Sequence, residues 1–343
     1  MRRPEFLKEG GVIGFVAPSF GCNISPYKEA FSNALAKFDV MGYKTKLGPN
    51  CYKGDGVGIS TSPDACAAEL VEYMSGDEAD VLISCGGGEL MCEILPYMDF
   101  DCLSKAKPKW FMGYSDNTNF TFLYTTCCDT MSIYGPCAST FGMSKWHESL
   151  HDAMGLLSGK TSSVGNYELF ELESLKSPEN PLAPYHVTHK THLLCGDDHV
   201  AMEGRILGGC MDCLVTLLGT RYDKVSEFNR RYKDDGVIWY LESCDLNPFG
   251  IRRAMWQMRE AGWFDMAKGF LIGRPYHYGE EMFGLDNYEA VKGIIGELGL
   301  PIVMDCDIGH VAPMMPLING AYAYVEYTDG KLTIDFSRSL FSD

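Results

Sequence analysis

The chain has 343 residues, 46% of them hydrophobic and 22% charged, enough for about two globular domains with real cores and too apolar for a disordered protein. Its formal net charge of −17, from 29 Lys and Arg against 46 Asp and Glu, argues against nucleic acid or an anionic membrane as partner, since both call for basic patches. No apolar run approaches the roughly 20 residues that cross a bilayer, and MRRPEFLKEGG has no apolar stretch leading to a cleavage site, so the expectation is a cytoplasmic protein.

In chain order, Val12 to Val16 is a wholly apolar run that ends in Ala17-Pro18-Ser19, the pattern of a buried strand leading into a loop. Ser25-Pro26 predicts a helix start, with the helix running to about Phe38 and closing near Gly42. Thr45 to Leu47 is a candidate strand, Ser62-Pro63-Asp64 caps a helix to about Met74, and Val81 to Ser84 is another buried strand, followed by Gly86-Gly87-Gly88. A helix over about Glu89 to Tyr97, a strand at Trp110 to Met112, a helix from Asp116 to about Cys127 and a strand at Ser132 to Tyr134 complete the first region. Strands alternating with helices predict an α/β fold with a doubly wound, mostly parallel sheet.

From about Gly159 to Val200 the periodicity fades into a stretch rich in Pro, His and Asp, read as a linker or long loop. A second, smaller α/β region begins near Glu203. It carries a helix from Gly208 to Leu218, a strand at Val237 to Leu241, a helix opened by Asn247-Pro248 and stopped at Gly262, and strands at Gly269 to Ile272 and Pro301 to Met304. Thr328-Asp-Gly330 between two β-patterned runs is a hairpin signal. The expected layout is an N-terminal domain over 1–160, a linker over 161–200 and a C-terminal domain over 201–343.

Fourteen cysteines scattered through a chain of this size, with no secretory leader in view, are read as reduced thiols. Cys210-Met-Asp-Cys213 lacks a second cysteine pair or a His-x-His partner, which points away from zinc.

In open α/β sheets, chemistry gathers at the carboxyl ends of strands. Ser115 follows the Trp110 strand in GYSD, Glu242 follows the Val237 strand in VIWYLESCD, and His310 follows the Pro301 strand in PIVMDCDIGHVAP. A serine hydroxyl needs a base to take its proton, and the base needs a carboxylate to hold its tautomer, so these three supply the role set of a Ser-His-Glu triad. Gly87, within the glycine triplet, and the amide of Asp116, next to the serine, are candidate oxyanion donors. Each feature has a plainer reading: Ser115 as a helix N-cap, Glu242 as a structural charge, His310 as a loop histidine in competition with His277, and the glycines as a phosphate loop that lacks GKS/T. The joint arrangement favours catalysis.

With these segments in place, the chain resembles the family of LD-carboxypeptidases (muramoyltetrapeptide carboxypeptidases) and microcin C immunity serine peptidases. The likeness runs from VIGFVAPS to the C-terminal hairpin. It rests on GYSD, Ile94-Leu95-Pro96-Tyr97 followed by Asp99-Phe100-Asp101, YGP ending at Pro136, GRILGG ending at Gly209, YLE ending at Glu242 and GH ending at His310. The resemblance implies Ser115 as nucleophile, His310 as general base, Glu242 as the orienting carboxylate, the amides of Gly87 and Asp116 as oxyanion hole, and a homodimer. It implies cleavage of a C-terminal, L,D amide of a small peptide such as a murein tetrapeptide, through an acyl-enzyme and without metal or nucleotide cofactor. Alternatives are an immunity-type amidase acting on peptidyl-nucleotides, an α/β-hydrolase esterase and a non-catalytic muropeptide-binding protein.

The departures from the family concern substrate. Gly86-Gly87-Gly88-Glu89-Leu90 replaces an Arg-Gly-Gly-Tyr-Gly-type loop, and Cys210 stands where the family has the Asn of GGN. Residues 147–238 contain no Trp for stacking on a nucleotide, which leaves Tyr167, Phe170 and Tyr185 as possible substitutes. Arg205 or Arg274 would suit a free carboxylate by a bidentate fork, and each also fits a structural ion pair.

Overall fold

The structure, a computed structural model, describes residues 1–341. The chain divides into two compact units, one of Met1–Thr161 with Glu173–His186, the other of Ser162–Leu172 with the chain from Val187 onward.

In the first unit the apolar runs become β1 (Val12–Val16), β3 (Val81–Ser84), β4 (Trp110–Gly113) and β5 (Ser132–Tyr134), with the more polar β2 (Lys44–Leu47) at the edge. All pairings are parallel, in the order β2-β1-β3-β4-β5. The central strands are buried along nearly their whole length, which is why they read as continuous hydrophobic runs rather than alternating ones. The chain leaves β1 to one side and returns to β3 on the other, so the loops after β1 and β3 part at a topological switch point.

Helices α1 (Tyr27–Val40), α2 (Pro63–Ser75), α3 (Phe100–Lys105), α4 (Thr118–Cys128) and α5 (Glu148–Ser158) accompany this sheet. All of α4 but Cys127 is buried, as expected of a helix without a polar face. Two of its threonines satisfy themselves on the preceding turn, Thr121 Oγ1 on the Asn117 carbonyl and Thr126 Oγ1 on that of Phe122, while Thr125 Oγ1 donates forward to the Thr130 carbonyl. The helix expected over Glu89 to Tyr97 is instead a 3₁₀ segment, Met91–Tyr97, with Pro96 inside it. Proline lacks the N–H that an α-helical ladder would use there.

The second unit holds β6 (Ser163–Gly165), β7 (Leu194–Cys195), β8 (His199–Cys210), β9 (Val237–Glu242), β10 (Ala267–Gly273), β11 (Ile302–Cys306), β12 (Tyr322–Thr328) and β13 (Lys331–Asp335). They form one sheet in the order β6-β13-β12-β8-β9-β10-β11-β7, parallel from β8 to β11 and antiparallel on both flanks. Gly208-Gly209 does not open a helix as expected: both lie in β8, and α6 (Met211–Leu217) starts after Cys210. A side chain at Gly208 would collide with the Tyr240 carbonyl on β9, so the glycine serves close strand approach.

Helices α7 (Val225–Arg231), α8 (Pro248–Glu260), α9 (Asn287–Ile295) and the short α10 (Ser337–Phe341) also belong to this unit. Asn247 caps α8 by accepting from the Gly250 amide, with Pro248 in the first turn. Asp329 and Gly330, at φ 50° and 80°, turn β12 into β13 with the two positive φ values that an Asp-Gly hairpin requires. No helix among the described residues is long and apolar enough to cross a membrane.

Candidate active site

Ser115, Asp116 and Gly87 belong to the first unit, Glu242 and His310 to the second. At the carboxyl end of β4 the chain passes through extended Tyr114 into Ser115, which sits at φ 62° and opens a short 3₁₀ turn, Ser115–Asn117, that runs into α4. A non-glycine residue held in the left-handed region costs about 1–3 kcal/mol and persists only where its surroundings enforce it. The surroundings here are specific. The Ser115 amide donates to the Tyr134 hydroxyl at 3.2 Å. Asn117 Nδ2 donates to the Gly86 carbonyl at 2.8 Å and the Tyr114 carbonyl at 3.1 Å, tying the glycine loop to the serine turn.

Gly87 lies directly against the serine, since a Cβ built on it would be 3.0 Å from Ser115 Cβ and 3.1 Å from Oγ. Its carbonyl accepts from the Phe20 amide at 2.9 Å, and the Gly86 carbonyl accepts from Ser84 Oγ at 3.0 Å. The buried Asp116 carboxylate accepts from Ser19 Oγ at 2.6 Å, the Met91 amide at 2.9 Å and Asn119 Nδ2 at 2.9 Å. Burial pushes its pKa up to about 6 against those hydrogen bonds. Asp116 therefore joins the loop after β1, the loop after β3 and the turn after β4.

Glu242, the last residue of β9, is wholly buried, and its Oε2 stands 2.9 Å from His310 Nδ1. Gly309 makes this approach possible: it sits at φ 106°, and a Cβ there would be 2.5 Å from Glu242 Oε2. Burial works against charge on His310, but the attraction of Glu242 and the neighbouring Cys244 side chain outweigh it, and the imidazole is lifted well above its ordinary value. An imidazole with Nδ1–H directed at a buried carboxylate has its tautomer set, carries its basic lone pair on Nε2 and is stabilised once it gains a proton.

The loop carrying His310 is held from below. Fully buried Arg274 donates to Asp305 Oδ1 at 3.0 Å, to the Asp305 carbonyl at 3.1 Å and to Asp307 Oδ1 at 2.8 Å, and its guanidinium lies 3.7 Å from the centroid of the Phe170 ring. Tyr288 adds a 2.7 Å bond to Asp305, itself at φ 61°. Arg205 is likewise engaged, with Asp235 at 2.7 Å and the Gly320 carbonyl at 2.8 Å. Both arginines named as candidates for a substrate carboxylate thus have structural partners. His277 is half-exposed and 3.8 Å from Glu280. Tyr167 and Phe170 are buried in packing, and Tyr185 rests against His147.

Sequence reading missed Tyr134 and Ser19 as partners of the serine turn. Both lie at strand carboxyl ends, so the rule that found Ser115 would have found them too. It also missed Cys210, the register partner of Glu242 across β8 and β9. Ligand atoms of Cys210, Glu242 and His310 all lie within 4.8 Å of one another.

Residues 13–135 match the LD-carboxypeptidase N-terminal domain and residues 203–325 the LD-carboxypeptidase C-terminal domain. The chain belongs to the LD-carboxypeptidase family of serine peptidases. It is 25% identical to a protein of Bacillus subtilis (strain 168) named probable murein peptide carboxypeptidase, over 97% of this chain and 94% of that one. It is 24% identical to the microcin C7 self-immunity protein MccF of Escherichia coli, over 96% and 94%. A solved structure of MccF in complex with aspartyl sulfamoyl adenosine superposes with a TM-score of 0.80 at 20% identity, covering 97% of this chain and 98% of that one.

Proposed function

We propose that this serine peptidase is a carboxypeptidase that removes the C-terminal residue from a small peptide, of which a murein tetrapeptide with an L,D terminal amide is the model substrate. Ser115 Oγ attacks the scissile carbonyl, His310 takes its proton as general base and returns it to the leaving amine, and Glu242 orients the imidazole and stabilises its charged form. The amides of Gly87 and Asp116 hold the oxyanion. Water then hydrolyses the acyl-enzyme by the same base. No step calls on a metal or nucleotide cofactor.

The observation that carries this reading is the 2.9 Å pairing of His310 with a buried strand-end carboxylate. The strained Ser115 turn against Gly87 supports it on the other side of the reaction. Peptide rather than peptidyl-nucleotide as substrate is supported by the absence of Trp from residues 147–238 and by the burial of Tyr167 and Phe170, which occupies two aromatics that could otherwise stack on a base.

The test is mass spectrometry of the protein with a muramoyl tetrapeptide and, in parallel, a peptidyl sulfamoyl adenylate, for wild type and Ser115→Ala. Release of D-alanine by wild type alone is the expected result. Cleavage of the adenylate alone would move the protein to the immunity-type activity that MccF's name describes. A product formed equally by Ser115→Ala would overturn the nucleophile.

A further inference from the structure

We propose that Cys210, Glu242 and His310 form a site for a thiophilic divalent cation of the zinc class, and that its occupancy shuts the peptidase off. The three side chains come from separate parts of the second unit: the end of β8, the end of the adjoining β9, and the loop after β11. Parallel register places Cys210 beside Glu242, and Gly309 lets His310 approach the same carboxylate. Among the described residues this is the one group of three such side chains whose ligand atoms lie within 4.8 Å of one another.

The donor chemistry fits zinc better than calcium or magnesium. One thiolate, one imidazole and one carboxylate are the ligand types of tetrahedral zinc sites, whereas hard cations take oxygen throughout. At zinc–ligand distances of about 2.0–2.3 Å, the donors of a tetrahedral site sit about 3.3–3.8 Å apart, a spacing this set reaches by side-chain movements of at most roughly 1 Å. Binding releases to solvent the Cys210 thiol proton and, where the imidazole is protonated, one His310 proton; it forms S–metal, N–metal and O–metal bonds and changes no oxidation state. Thiolate and carboxylate neutralise the dication. Asp212 accepts from the Cys210 thiol at 3.4 Å and from the Cys244 and Asp245 amides at 3.0 and 2.9 Å, and so braces the loop beyond β9. The Cys210-x-x-Cys213 spacing alone gave no reason to expect this, because the partners of Cys210 are 32 and 100 residues further along the chain.

A bound cation would take Glu242 and His310 out of proton transfer. That clause rests on the proposed role of His310 as base; the binding site does not. Cobalt(II), a spectroscopic substitute for zinc, is titrated into metal-free wild type, Cys210→Ser, Cys210→Ala and, as a control, Cys102→Ser at an exposed thiol, with circular-dichroism melts to establish that each folds. Wild type and Cys102→Ser are expected to show thiolate-to-cobalt charge transfer and four-coordinate d–d bands that zinc bleaches. The Cys210 variants are expected to bind at least about tenfold more weakly, without the charge-transfer band. In the peptide assay, zinc is expected to suppress wild-type hydrolysis, a chelator to restore it, and magnesium to do neither.

Absence of the charge-transfer band in wild type, or the same band in folded Cys210→Ser and Cys210→Ala, would overturn the site. Binding through Cys210 with hydrolysis undiminished would overturn the shut-off. If wild type binds cobalt through Cys210 yet cleaves neither substrate, the proposed reaction fails while the cation site stands.

Discussion

His310 Nδ1 and Glu242 Oε2 meet at 2.9 Å across 68 residues of sequence, with the carboxylate wholly buried and the imidazole still partly exposed. A buried carboxylate in contact with an imidazole favours the imidazolium, so the pH at which His310 gives up its proton and can act as base is raised above the ordinary histidine value. Glu242→Gln removes that pull. The expected outcome is a fall in kcat/KM of about a thousandfold together with a shift of the acid limb of the pH–rate profile to lower pH. The same linkage reaches stability. With the folded pKa raised, the pair stabilises the fold below the ordinary histidine value of about 6.5, and this contribution fades as pH rises through the folded value. The melting-temperature gap between wild type and Glu242→Gln should therefore narrow with rising pH, and parallel curves would contradict the coupling.

Asp116 shifts stability with pH in the same direction, at lower pH. Its pKa is pushed up from 3.8 to about 6 by burial, so the native state holds a proton that the unfolded chain has already lost. Between about pH 4 and pH 7 this group costs wild type on the order of 3 kcal/mol, lost as pH rises. Asp116→Asn has no such titration. Urea denaturation of both proteins at pH 4 and pH 7 should show the wild-type stability falling relative to the variant across that range.

Gly87→Ala tests the contact at the serine turn. Its φ is not in the left-handed region, so alanine costs little in backbone conformation, but the new methyl arrives 3.0 Å from Ser115 Cβ and 3.1 Å from Oγ. The hydroxyl must shift by a few tenths of an ångström. We expect kcat/KM to fall by about 10- to 100-fold at an unchanged melting temperature, with slower labelling of Ser115 by a fluorophosphonate. Labelling at the wild-type rate would count against the close approach.

Arg274→Ala should unfold the support of the His310 loop. The arginine is fully buried between Asp305 and Asp307, and its removal leaves two buried carboxylates without their cation, a loss of about 3–5 kcal/mol. Burial already raises both aspartates, and Arg274 holds them down. Without it their folded pKa values climb further, so the stability deficit by urea denaturation should be larger at pH 8 than at pH 5.

The strands were legible in the sequence because a parallel sheet covered on both faces demands unbroken apolar runs, as at Val12 to Val16, Val81 to Ser84 and Val237 to Leu241. Helix starts at Ser62-Pro63 and Asn247-Pro248 and the Asp329-Gly330 hairpin were legible because capping and positive-φ turns are local chemistry. The strand-end rule, applied to those runs, singled out Ser115, Glu242 and His310. Local signals failed where glycine served a neighbouring strand rather than its own turn: Gly208-Gly209 reads as a helix start and is the end of a strand packed against Tyr240. Pairwise distances were not legible at all. That His310 meets Glu242, that Cys210 joins them and that Arg274 is consumed by two aspartates follow from strand register and from which side chains share a buried volume. Sequence order carries residue type and local conformation, whereas nearness between residues tens of positions apart exists only after the sheet has formed.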